Sequence, residues 1–169
     1  KLFSVGFGAL SSHWMLVLAI VTAATLLVGN ITAVFQQSVK RMLAYSSIAQ
    51  AGFMMLAIYT LTVEAREGLI LYGTAYSLAP IGIFAVLAKM PDQTFDGFNG
   101  FARQQPLIAA TLVIFLLSLA GIPLTAGFLS KFYMLKATVA GGNIWLAIFA
   151  VLLAAGSVYY YFPLIQTMY

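Results

Sequence analysis

Cysteine is absent from the 169 residues and histidine occurs once. The first absence removes disulfides, thiolate metal sites, iron–sulfur ligation and cysteine nucleophiles together. The second leaves too few imidazoles for a histidine-built zinc or haem centre. Charge is almost as scarce, at 7% of residues, where a soluble domain carries about 25%. So little polar surface cannot coat a water-soluble globule, which excludes a free cytosolic enzyme. The net charge of +4 comes from eight Lys/Arg against four Asp/Glu. They are scattered rather than gathered on one face, which excludes an ordinary nucleic-acid-binding domain. There is also no phosphate loop, nucleophile triad, pair of membrane carboxylates or cofactor fingerprint. What is present is hydrocarbon: 63% of residues are hydrophobic, and the chain reads as an integral membrane protein. Its opening, Lys1 to Gly6, has no initiator Met, basic region or small-residue cleavage site, so we expect part of a longer subunit.

A helix needs about 20 mostly apolar residues to cross the hydrocarbon core. Five segments qualify, at about 12–35, 39–60, 68–88, 106–135 and 143–166, giving an all-α polytopic membrane fold in one domain. A membrane barrel would alternate apolar and polar residues, whereas Leu107 to Leu119 is apolar throughout except Thr111 and Ser118. The one long connection, Lys89 to Gln105, holds Asp92, Asp96, Gly97, Asn99, Gly100 and Arg103 and reads as a solvated excursion. Lys40, Arg41, Lys89 and Arg103 lie on one side of the membrane, against Lys1, Arg66 and Lys136 on the other. That bias favours the first side as cytoplasmic. Trp14 and Trp145 open the first and fifth segments on the opposite side, as interfacial aromatics do.

The fourth segment is the informative one. From Pro106 to Leu135 it would span about 45 Å as one helix, too long for an untilted crossing of a roughly 30 Å core. Within it lies AGIPLTAG, residues 120–127. Pro123 removes a backbone donor, and Gly121 and Gly127 ease non-helical dihedrals on either side. We expect two half-helices joined by a partly unwound stretch, the arrangement that marks ion sites in many transporters. Lys131 follows the break. An intramembrane lysine costs roughly 2.5–3.5 kcal/mol on insertion scales, so it normally faces a bundle interior or cavity. Burial and a nearby half-helix N-terminus both work against a permanent positive charge, which suits an amine that gains and sheds a proton. The structural alternative is that Lys131 snorkels to the surface, as Lys136 is expected to do.

The second segment carries a polar strip: Lys40 and Ser47 lie within about 20° of each other on a helical wheel, and Gln50 about 80° away. Tyr45 points well away from Lys40. The strip suits a water file, while positive-side anchoring explains Arg41 and competes evenly for Lys40. The third segment holds Thr74, Ser77, and Tyr72, Tyr76 and Pro80 at i, i+4 and i+8; Pro80 is expected to free a carbonyl and kink it. His13 beside Trp14 reads as an interfacial histidine. Glu64, Arg66 and Glu67 read as a solvated connection.

Residues 29–53, GNITAVFQQSVKRMLAYSSIAQAGF, and 118–133, SLAGIPLTAGFLSKFY, resemble the antiporter-like subunits of respiratory complex I, closest to the N-type branch. M-type subunits usually carry Glu at the position of Lys131. L-type subunits usually follow their lysine with an acid, where Phe132 and Tyr133 stand here. The resemblance implies a fold of about fourteen helices with inverted five-helix repeats, of which this chain looks like the ninth to thirteenth. It implies proton translocation coupled to quinone reduction elsewhere in the complex. NADH, flavin, iron–sulfur clusters and quinone would lie in partner subunits and no cofactor in this chain. The partners would be other membrane subunits, further antiporter-like ones among them, and the lipid bilayer, with no nucleic acid. The location would be the bacterial inner membrane or an organellar energy-transducing one. By resemblance Lys131 is the proton-exchanging lysine of the broken helix, and Lys40 and Tyr45 match positions associated with activity. Ser47, Gln50, Thr74, Tyr76 and Ser77 are path candidates from their polarity. The sequence departs from relatives that often have proline at Leu124, glycine at Ser130 and histidine at Gln50. Glutamine cannot change charge, so a titrating role at position 50 is in doubt. A homologous cation/proton antiporter or membrane-bound hydrogenase subunit is the alternative function, and a non-conducting scaffold bundle a third.

Overall fold

The computed structural model describes residues 11–60 and 62–169, with side chains from Trp14 onward. Lys1 and the His13 side chain therefore lie outside the described residues. Among the described residues seven α-helices follow one another: α1 (Ser11–Val34), α2 (Val39–Thr60), α3 (Val63–Leu87), the short α4 (Phe101–Gln104), α5 (Pro106–Ala120), α6 (Ala126–Ala140) and α7 (Ile144–Met168). α1, α2, α3 and α7 are each long and apolar enough to cross a membrane. α5 and α6, 15 residues each, reach about 22 Å apiece and make one interrupted crossing between them.

Both ends of the bundle are fixed by polar contacts. At one end the Val39 N–H donates to the Gln93 carbonyl at 2.9 Å, Ser38 bridges Thr94, and the Gly100 N–H donates to the Thr167 carbonyl at 3.2 Å. The α1–α2 and α3–α5 connections and the end of α7 therefore share one face, as the helix count requires. At the other end Tyr59 on α2 donates to Asn143 Oδ1, before α7, at 2.7 Å.

The third helix begins five residues before the expected start. Thr62 caps it, its hydroxyl accepting from the Ala65 N–H at 3.2 Å, and Glu64 sits in the first turn, where a carboxylate favours the positive end of the helix dipole. Glu64, Arg66 and Glu67 are exposed as expected, but on a helical turn and not in a connection. α3 also continues through Pro80. The fourth segment runs to Ala140, beyond the expected 135, and stops at Gly141 and Gly142. The 89–105 connection folds back over the bundle instead of extending into solvent: Phe98 on its 3₁₀ turn is buried against α5 and α7 residues.

Packing follows residue size. A Cβ on Gly29 would run into the Ala49 backbone, so α1 and α2 lie in close contact there. The core divides into two apolar clusters, one around Met42, Ile83, Leu116 and Leu164, the other around Leu26, Phe53, Leu56 and Met134. Between them sits a band of buried polar side chains: Asn30, Ser46, Gln50, Ser130, Lys131 and Ser157.

Candidate proton-transfer site

The break is built by three residues with distinct tasks. Gly121 ends α5 at φ 81°, in the left-handed region open to glycine, and its N–H returns to the Leu117 and Ser118 carbonyls. Pro123 stands four residues after Leu119, where a continuous helix would supply the N–H that the Leu119 carbonyl needs. That oxygen is left without a helical donor. Gly127, in the first turn of α6, lies so close to Ser118 that a Cβ would overlap the Ser118 carbonyl; its N–H donates to Ser118 Oγ at 3.2 Å. Thr125 caps α6 through its hydroxyl, which accepts from the Phe128 N–H at 3.2 Å and donates to the Ile122 carbonyl at 2.7 Å.

Lys131, one turn into α6, points inward and is 3% exposed. Its Nζ donates to the freed Leu119 carbonyl at 2.7 Å and lies 4.5 Å from the centroid of the Phe53 ring on α2. The four carboxylates, Glu64, Glu67, Asp92 and Asp96, are all exposed at the first turn of α3 and in the 89–105 connection, so none pairs with it. The snorkelling alternative does not describe this geometry; Lys136 is the exposed one. On one side Lys131 borders a cavity of about 420 Å³ against α7, walled by Ile122, Phe128, Phe132 and Ala154 among others and almost wholly apolar. On the other side it meets polar groups. Gln50 Nε2 donates to the same Leu119 oxygen at 3.0 Å and to the Tyr161 hydroxyl at 3.1 Å. Tyr72 donates to Gln50 Oε1, and Ser46 Oγ pairs with the Tyr161 hydroxyl. Tyr160 donates to Asn30 Oδ1 at 3.0 Å.

Of the residues expected from sequence, the structure brings Gln50, Gly121, Pro123, Gly127 and Lys131 together. Lys40 is exposed at the start of α2, some 15 Å along the helix from Gln50. Tyr45 is half-buried against the first core cluster. Ser47 and Tyr76 neighbour each other, Tyr76 stacking on Tyr72 at 6.0 Å between centroids. Thr74 and Ser77 are exposed on α3 and donate to their own helix, to the Ile70 and Gly73 carbonyls at 3.0 and 2.6 Å. Tyr161, Ser46, Asn30 and Ser157 carry no distinguishing pattern along the chain, and Tyr72 has only its place beside Tyr76. A polar residue facing the same buried band from every neighbouring helix is a signal that appears only once the helices are assembled. An amine held by one carbonyl and one ring face, with no counter-charge, can release a proton without breaking an ion pair.

The sequence pattern described as NADH:quinone oxidoreductase/Mrp antiporter, TM matches residues 2–156. The chain belongs to this family. A curated relative, NADH-quinone oxidoreductase subunit N of Trichlorobacter lovleyi, is 41% identical across 100% of this chain and 36% of its own length. The chain thus spans about a third of the curated relatives it matches. Among solved structures, a chain of respiratory complex I from Thermus thermophilus with bound aureothin superposes with a TM-score of 0.83 at 35% identity, over 90% of this chain and 36% of that one. A chain of the Mrp complex from Dietzia sp. DQ12-45-1b superposes at 0.89 with 23% identity, over 98% and 32%, which speaks for the fold alone. The chain is an antiporter-like membrane segment of this family, similar to the subunit N relatives, with one interrupted helix among the described residues.

Proposed function

We propose that this segment is the part of an NADH–quinone oxidoreductase membrane subunit in which Lys131 takes up and expels a proton, coupled to quinone reduction elsewhere in the assembly. NADH, flavin, iron–sulfur clusters and quinone belong to partner subunits in this reading, other antiporter-like subunits are neighbours, and the bacterial inner membrane is the location. The observation that carries it is the Lys131 amine, buried without a carboxylate and docked on the carbonyl that Pro123 leaves free. A purely structural lysine at this depth would lower its cost by ion pairing or by reaching the headgroups; Lys131 does neither. Lys40, Arg41, Lys89 and Arg103 mark the expected cytoplasmic face, and uptake from that face passes Lys40 and Tyr45 near the start of α2 in this reading. The flank of the amine at Gln50 is made of buried, mutually hydrogen-bonded polar side chains. The α6–α7 cavity has hydrocarbon walls and suits a barrier.

Lys131→Ala in the assembled complex is expected to abolish or severely reduce proton translocation while the subunit still inserts and quinone reduction can still be assayed. Lys131→Arg is expected to fail as well, since a guanidinium stays charged at any accessible pH. Wild-type pumping by either variant would remove Lys131 from the mechanism.

A further inference from the structure

The Tyr161 hydroxyl of α7 is the point at which two buried polar side chains of α2, Ser46 and Gln50, converge. Its ring, 1% exposed, packs on Tyr160 with centroids 4.5 Å apart. The hydroxyl accepts one N–H of Gln50 and pairs with Ser46 Oγ. The other N–H of the same amide goes to Leu119, the oxygen that also holds Lys131 Nζ. With the Tyr72 hydroxyl on Gln50 Oε1, the amide cannot flip without losing all three bonds. Each of its polar atoms is engaged. An amide does not readily accept and hand on a proton, so the line from Lys131 to Tyr161 is a set of bonds that orients groups and does not conduct through Gln50. The groups at the amine are the Phe53 ring from α2, the Leu119 carbonyl from α5, which Gln50 of α2 shares, and Gly121 at the break, with Tyr72 of α3 and Tyr161 of α7 bonded to Gln50 behind it.

We propose that Tyr161 is a positioning residue for Lys131 and acts through Gln50: by anchoring one N–H of the amide it aims the other at the Leu119 carbonyl, and so sets how that oxygen is shared with the amine. This rests on Lys131 being the proton-carrying group. Tyr161→Phe keeps the ring and its packing and removes only the hydroxyl. Gln50→Leu removes the intermediary.

The test uses the complete complex in sealed vesicles, with quinone reduction measured beside protons moved, across a range of pH. Tyr161→Phe, Tyr72→Phe, Gln50→Leu, the Tyr161→Phe/Gln50→Leu double variant and Lys131→Ala are compared. The expected result for Tyr161→Phe and for Gln50→Leu is proton movement about two- to tenfold slower, the rate equivalent of one buried hydrogen bond, with fewer protons moved per quinone reduced. The pH profile of pumping also changes position, and the double variant is no worse than Gln50→Leu. Tyr72→Phe, which frees the amide from the other side, moves in the same direction. A role in folding alone would lower the amount of assembled complex and leave the pH profile in place. Unchanged pumping and pH profile in Tyr161→Phe would overturn the proposal, as would a double variant whose loss is the product of the single losses. Normal pumping by Lys131→Ala would instead overturn the reading on which it rests.

Discussion

At the scale of single residues, one missing N–H explains the geometry of the site. Because Pro123 cannot donate, the Leu119 carbonyl turns to side chains, and two reach it: Lys131 Nζ and Gln50 Nε2. A buried acceptor left without a donor costs about 1–3 kcal/mol, so each of these side chains is stabilised where it stands. Pro123→Ala restores a backbone donor and lets α5 continue another turn. We expect Lys131 to lose part of its hold on Leu119 and pumping to fall severalfold, read as protons moved per quinone in sealed vesicles. A second residue-scale expectation lies outside the membrane helices. The Thr94 backbone N–H and hydroxyl both donate to the exposed Asp92 carboxylate, at 2.9 Å each, and hold it below the usual carboxylate range. A group whose folded value is depressed stabilises the fold above its unfolded value, about 3.9 for Asp, and that contribution disappears as pH falls through the folded value. The Thr94 amide is therefore expected to stay protected from hydrogen exchange at neutral pH and to lose protection in acid. Protection equal at both would refute it.

At the scale of elements, the broken crossing carries its own strain. Leu124 sits at φ 76°, a left-handed conformation that costs a non-glycine residue roughly 1–2 kcal/mol, and its side chain is fully exposed. Leu124→Gly is expected to stabilise the break by about 1 kcal/mol, seen as a higher midpoint in thermal unfolding of the detergent-solubilised complex. Gly127→Val is expected to do the opposite, because its side chain would collide with the Ser118 carbonyl; loss of assembled subunit is the readout. The break itself was legible in the sequence. Glycine, proline and glycine at 121, 123 and 127 inside an overlong apolar run leave few other readings. The start of α3 was not legible, because Glu64, Arg66 and Glu67 look like a loop until Thr62 is recognised as a cap and the charges as an exposed first turn.

At the scale of the whole molecule, α1, α3 and α7 present rows of exposed Leu, Ile, Val and Phe, as at Leu16, Ile20, Ile70, Ile81 and Leu152, which must meet lipid or neighbouring protein. The ends of the bundle alternate as four complete crossings and one interrupted one demand. Since this segment lacks cysteine, introduced thiols give a direct test of its orientation. Asn99→Cys is expected to react with impermeant reagents from the cytoplasmic side, and Gly142→Cys only from the other; labelling of both from one side would break the proposed topology.

The sequence by itself determined the membrane setting, the number of crossings, the interruption and the lysine beyond it. These are properties of local composition and backbone chemistry: hydrocarbon length, a missing N–H, a residue too costly to bury idly. It could place Lys40, Ser47 and Gln50 along one strip, since a helical wheel measures angle around one axis. It could not show that only Gln50 of the three would be buried beside Lys131, that Thr74 and Ser77 would face outward, or that Tyr161, thirty residues beyond Lys131, would meet both Ser46 and Gln50. Those relations depend on which faces of α2, α3, α5, α6 and α7 turn toward one another. That is settled by how side-chain volumes and close glycine contacts fit between helices, and no single helix holds that information.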